Sequence, residues 1–158
     1  MALLLVQHAQ SLTKEEDPEK GLSMEGRKTA ERMAALAREH GVAVAVIHHS
    51  GKKRARQTAE IFADALSPAR GVQAAAGLNP LDDVTAFNMD SAAGQMLVGH
   101  LPFMERLAAH LVAGAAEKAP VVKLQNAGIV CLEKDAALDH WYVKWMLMPP
   151  AAFLSGKK

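Results

Sequence analysis

Three stretches of this chain carry side chains able to handle a phosphoryl group. The apolar run LLLVQH (3–8) ends in Gln7 and His8. The segment SGKKRARQT (50–58) places Lys52, Lys53, Arg54 and Arg56 behind Ser50. VGHLP (98–102) sets His100 between another apolar run and a proline. A neutral imidazole is a competent nucleophile toward phosphorus, and a phosphorylated imidazole splits one hard displacement into two easier ones. A second imidazole can stabilise the oxygens as charge shifts in the transition state. Arginine offers a planar fork to phosphate oxygens, and a helix start adds backbone donors. This chemistry requires no metal. The chain has no HExxH, no paired-cysteine spacing and no Walker-type glycine loop, so neither a metal nor a cofactor is expected.

These residues are useful only if the fold delivers them to one place. Residues 2–6 read as a buried strand, followed by a polar loop from Gln10 to Gly21. A helix is expected next, with Ser23 as its N-cap and Gly41 as its stop. Its inner face is Ala30, Met33, Ala34 and Ala37, spaced i, i+3, i+4, i+7. VAVAVI (42–47) reads as a second strand ending at His48 and His49, residues 53–66 as a helix, and VQAAA (72–76) as a weak strand. A loop with a short helix after Asp83 leads to a strand at 95–100. Pro102 then opens a helix whose inner face is Met104, Leu107, Ala108, Leu111 and Ala115. Strands are expected at 121–124, 128–133 and 140–147, the last two joined through EKDAALD as a hairpin, with a tail from residue 148. Alternating strands and helices imply an α/β fold, a three-layer α/β/α sandwich around a mostly parallel central sheet. Ligands of such sheets bind at the carboxyl ends of the strands, where His8, Ser50 and His100 fall.

The bulk numbers agree with one domain spanning residues 1–158. Half the residues are hydrophobic but only 4% are aromatic, so Ala, Val, Leu, Ile and Met must build the core. The net charge of +1 gives no reason to expect nucleic acid or an anionic membrane as a partner. Cys131 is the single cysteine. With no basic residue before the short apolar start and no apolar run near the roughly 20 residues that span a bilayer, a cytoplasmic protein is expected.

The order of these motifs resembles the histidine phosphatase superfamily, which includes the phosphoglycerate mutases, and within it the small SixA-type phosphohistidine phosphatases. The family's Arg-His-Gly or Arg-His-Ala is matched by Gln7-His8-Ala9, and its Leu-Ser/Thr-x-x-Gly by Leu22 to Gly26. Its Ser-x-x-x-Arg-Ala-x-Gln-Thr is matched by Ser50 to Thr58, and its His-x-Pro by His100-Leu101-Pro102. The match spans roughly residues 2–145. The resemblance implies a phosphoglycerate mutase-like fold, His8 as nucleophile, Arg54 holding phosphate and His100 against the transferring group. Gln7, Ser50 and Asp82 are the accompanying substrate-binding positions. A short insert before His100 implies an open site, suited to a phosphohistidine-bearing protein.

Gln7 departs from the family, which has arginine there. Glutamine keeps an N–H donor and loses the charge and the fork, and loss of one such donor commonly costs about 10²–10³ in rate. Lys52, Lys53 and Arg56 are the candidates to restore the potential, though a solvated helix face is the ordinary fate of such a run. Asp82 and Asp83 could serve as a general acid or cap the short helix that follows. Gly51 stands where relatives often have proline. His48 and His49 point to opposite sides if they stay within the strand. His110 and His140 are read as structural, and Cys131 as a core thiol. Three functions remain open: a phosphohistidine phosphatase, a phosphatase for small phosphate monoesters, and a phosphate-binding module with little turnover.

Overall fold

The computed structural model describes residues 2–88, 94–115 and 119–150. Its elements are β1 (Ala2–Gln7), α1 (Met24–Glu39), β2 (Val46–His49), α2 (Lys53–Leu66), β3 (Val72–Ala74), a single 3₁₀ turn (Val84–Ala86), β4 (Gln95–Gly99), α3 (Phe103–Ala113), β5 (Ile129–Asp135) and β6 (His140–Leu147). The sheet order is β3-β2-β4-β1-β5-β6. The first four strands in that order are mutually parallel, and β5 and β6 add an antiparallel hairpin at one edge. This is the mixed α/β sheet expected. Residues 89–93 of the expected loop and the tail from residue 151 lie outside the described residues.

The unbroken apolar run of β1 follows from its central place. Successive side chains alternate between faces, and both faces are covered. Leu4 and Val6 enter the core beneath α1 and α2 with Met33, Ile47, Phe62 and Val98. Leu3 and Leu5 enter the core beneath α3 with Leu97, Phe103, Leu107 and Val130. Each such leucine contributes about 1.5–3 kcal/mol by burial. The α1 stripe Ala30, Met33, Ala34 and Ala37 is buried as its spacing predicts. Ser23 caps the helix, its Oγ accepting from Gly26 N at 3.0 Å, and Gly41 follows its end with φ +72°. Among the described residues no helix is long and apolar enough to cross a membrane.

Several boundaries differ from expectation. The second strand is Val46–His49 rather than 42–47, because Val42 N closes the end of α1 on Ala37 O and Ala45 N bonds Gly94 O. Both histidines therefore lie inside the strand. The third strand stops at Ala74 rather than residue 76. Residues 121–124 are not a strand. β1 already has β4 and β5 on its two edges, so Val122 and Leu124 are buried as loop, with Leu124 N donating to Glu105 Oε2 at 2.9 Å. Leu111 is half-buried and Ala115 lies beyond the end of α3. β5 runs on to Asp135, which shortens the hairpin turn.

Candidate active site

Register brings the first and third motifs together. Gln7 of β1 lies opposite Gly99 of β4, and His8 N donates to Gly99 O at 2.9 Å. His8 and His100 thus leave neighbouring strand ends side by side, with ring centroids 5.0 Å apart and planes inclined at 55°. The backbone around His8 is anchored from three directions. Asn126 Nδ2 donates to His8 O at 2.8 Å, Ala127 N to Gln7 O, and Ala9 N to Thr58 Oγ1 at 3.0 Å. Thr58 in turn donates its hydroxyl to Arg54 O, so the strand end that carries His8 and the helix that carries Arg54 are one unit. The chain after His8 crosses the first turn of α1 so closely that a Cβ on Gly26 would sit 2.0 Å from Gln10 O. Only glycine fits there.

The hydrogen bonds at His8 fix its tautomer. Nδ1 lies 2.7 Å from Ala9 O, which can only accept. Nε2 lies 3.3 Å from Arg54 Nε, which can only donate. The proton is therefore on Nδ1, and the Nε2 lone pair faces the guanidinium. Burial is the main cause that lowers the His8 pKa to about 4; the Ala9 carbonyl opposes it, and the charges of Arg54 and Lys20 add to it. His100, 2% exposed, is lowered to about 3, first by burial and then by His8, Arg54, Lys52 and Lys20. Both imidazoles are neutral at pH 7.

Ser50 belongs to the same cluster, its Oγ 2.6 Å from His100 Nε2. His100 Nδ1 and Gln7 Oε1 are buried without a hydrogen-bond partner among the described residues. Half-buried Arg54 has no ion pair with a carboxylate among them. A neutral imidazole, an unneutralised guanidinium, a second imidazole and a hydroxyl gather at one end of the sheet, an arrangement chemically able to cradle a tetrahedral oxyanion.

The other candidates separate from this cluster. Lys53 is held by Asp17 at 3.0 Å and Glu19 at 3.8 Å. Arg56 pairs with Glu60 on the exposed face of α2. Lys52 is exposed and its charge reaches His100. The Asp82 carboxylate accepts from Asn79 N at 2.8 Å within its own loop, and Asp83 caps the 3₁₀ turn through Thr85 N and Oγ1. His48 and His49 do point to opposite sides: His48 lines a cavity of about 450 Å³ with Leu78 and Asp83, while buried His49 accepts from Gly51 N. Gly51 has φ +94°, which proline's fixed φ near −65° cannot reach. Cys131 is buried, and burial raises its pKa.

Sequence reasoning missed four contributors. Gln57 accepts from Leu22 N at 2.7 Å; it and Thr58 stand in the quoted motif, which therefore encodes scaffolding as well as chemistry. Asn126 comes from a distant segment, and no spacing points to it. Lys20, whose charge bears on both rings, has adjacency to the start of α1 as its only signal.

The model of the histidine phosphatase superfamily (branch 1) matches residues 3–82, a span that holds His8 and Arg54 and stops short of His100. No individually curated protein matches. Among solved structures, the protein histidine phosphatase SixA complexed with tungstate superposes with TM-score 0.81 at 22% identity, covering 96% of this chain and 99% of that one. A protein assigned as a SixA phosphohistidine phosphatase in Agrobacterium tumefaciens gives 0.73 at 22% identity, covering 94% and 97%. A mycobacterial glucosyl-3-phosphoglycerate phosphatase complexed with VO3 gives 0.68 at 14% identity, covering 91% and 97%. These likenesses show a shared fold.

Proposed function

Because the chain belongs to the histidine phosphatase superfamily, we propose that it removes the phosphoryl group from phosphohistidine on a protein, through a covalent intermediate on His8. The observation that carries this reading is the Nε2 lone pair of a neutral His8, turned to the Arg54 guanidinium at 3.3 Å and beside the His100 ring. In the first half-reaction His8 Nε2 forms a bond to phosphorus while the bond from phosphorus to the substrate's imidazole nitrogen breaks. That nitrogen keeps the bonding pair and takes a proton from solvent. In the second, a water oxygen bonds to phosphorus, the His8 N–P bond breaks with its pair returning to Nε2, and inorganic phosphate leaves. Arg54 and His100 stabilise the phosphoryl oxygens in both steps, with the Ser50 hydroxyl and Gln7 amide beside them.

The choice of a nitrogen leaving group rests on the acid candidates. Both Asp82 and Asp83 are engaged in capping their own loop. An imidazole leaves far more readily than an alkoxide, so little acid assistance is needed. A cytoplasmic, phosphohistidine-bearing protein is the partner this implies. The small-monoester reading would require Asp82 or Asp83 to leave those caps and reach the leaving oxygen.

The test is a rapid acid-free quench after mixing with a protein labelled on phosphohistidine. Transient acid-labile label is expected on the wild-type chain and on His49→Asn, and none on His8→Asn. Turnover without any His8-dependent label would overturn the covalent route, and faster turnover of sugar or aryl phosphates would overturn the substrate.

A further inference from the structure

We propose that Lys20 supplies the second positive charge of the phosphate site, in place of the arginine that Gln7 does not provide. This rests on the anion site described above and goes beyond it by adding a residue from a separate loop. That loop is built around Asp17. The Asp17 carboxylate accepts from Glu19 N at 3.0 Å, Gly21 N at 2.8 Å and Lys53 Nζ at 3.0 Å, while Asp17 O accepts from Lys20 N. Lys20 is left half-buried with φ +53°, a left-handed conformation unusual for a residue with a long side chain. Such conformations persist where the surroundings over-determine them, often at ligand sites.

The loop is fastened to the helix that carries Arg54. Lys53 reaches Asp17 from the first residue of α2, and Leu22 N donates to Gln57 Oε1 one turn further on. The fit is close enough that a Cβ on Gly21 would lie 2.9 Å from Lys53 Cε. The backbone of Lys20 is therefore held against the first turns of the helix that carries Arg54. Two neighbouring cations of α2 are engaged, Lys53 by Asp17 and Arg56 by Glu60. Among the described residues, Arg54 and Lys20 are the cations whose charge lowers the pKa of both His8 and His100, whereas Lys52 bears on His100. Like Arg54, Lys20 is half-buried, and the loop that carries it is bonded to the helix that carries Arg54.

The experiment measures binding of inorganic phosphate by calorimetry at low salt, turnover of a phosphohistidine protein, and the imidazole titrations by NMR. The chains are wild type, Lys20→Met, Lys20→Arg, Arg56→Met, and Lys20→Met with Gln7→Arg. Loss of one charge-assisted contact should weaken phosphate binding about 10- to 100-fold in Lys20→Met. Lys20→Arg should retain affinity and Gln7→Arg should restore it. Both rings should titrate higher in Lys20→Met, a shift that a purely structural role would not produce in a chain with unchanged circular dichroism. Wild-type affinity in Lys20→Met, or equal losses in Lys20→Met and Arg56→Met, would overturn the inference. Lys20-dependent phosphate binding without phosphohistidine turnover would uphold it and remove the proposed substrate.

Discussion

Two pairs of histidines sit on this sheet, and only one pair comes together. His48 and His49 are consecutive residues inside β2, so the pleat sends them to opposite faces. His8 and His100 are far apart in the chain but stand one residue beyond two strands that are neighbours in register. Their side chains leave the sheet together and meet at 5.0 Å. Burial depresses the pKa of His49 as well as those of His8 and His100, so desolvation alone does not mark the site. What differs is the partner of the lone pair. His49 Nδ1 is satisfied by the amide of Gly51 two residues on, whereas His8 keeps the Nε2 lone pair toward a guanidinium. In the proposed site the local backbone fixes one nitrogen of His8, and the lone pair of the other meets the arginine.

The sharpest way to break that contrast is to substitute matched residues of the two regions. His8→Asn should lose about 10⁴-fold or more in kcat/KM, the scale seen when a nucleophile is removed, while His49→Asn should stay within a few-fold. The same contrast holds on α2. Arg54→Met should cost about 10²–10³ in kcat, as for one preorganised oxyanion donor. Arg56→Met, which removes an exposed i,i+4 pair with Glu60, should leave the rate unchanged. Steady-state kinetics on the four chains decides it. Comparable losses at His49 or Arg56 would mean that the site extends along β2 and not across β1 and β4.

Next in size is the effect of pH. Protonating His8 removes its lone pair, so kcat/KM should hold through mildly acidic pH and fall only as pH drops through about 4. An unperturbed histidine would place that limb near 6.5. Stability follows the same groups. The folded pKa values of about 4 and 3 lie below the unfolded value, so the unfolded chain binds more protons in between. The stabilisation is complete above about pH 6.5 and is lost as pH falls toward those folded values. Thermal melts of wild type against His8→Asn should show a shallower acid slope in the variant. Saturating phosphate should raise both pKa values, since a nearby anion favours the charged imidazole.

Much of this was readable in the sequence because it depends on local rules. The apolar run of β1, the Ser23 cap, the alanine stripe of α1 and the Asp83 cap are short-range patterns, and each forms as its pattern says. The pairing of His8 with His100 was legible through the rule that ligands gather at carboxyl strand ends. Residues 121–124 misled because apolarity reports burial, and a buried loop reads like a buried strand once the sheet has no edge to offer. Lys20 and Asn126 were hidden for another reason. Their contributions come from where a loop is tied, through Asp17 for one and against Gln7 and His8 for the other. Such ties join segments with no periodic signal.

The smallest expected effect separates holding the nucleophile from being it. Thr58 is fully buried, and its hydroxyl bridges Ala9 N and Arg54 O. Thr58→Val keeps the shape but leaves the Ala9 amide buried without an acceptor, a cost of about 1–3 kcal/mol. Thr58→Ser keeps the hydroxyl and gives up a methyl group. If this tie positions His8, Val should lower kcat more than Ser does after both are compared well below their melting temperatures, with the acid limb still near the His8 value. If it only stabilises the packing of α2, melting temperatures will fall and kcat will not. His49 is held by the strand ladder instead, with Ala75 N donating to its carbonyl at 2.9 Å and Gly51 N to its ring, so the same pair of readouts at that position should move together or not at all.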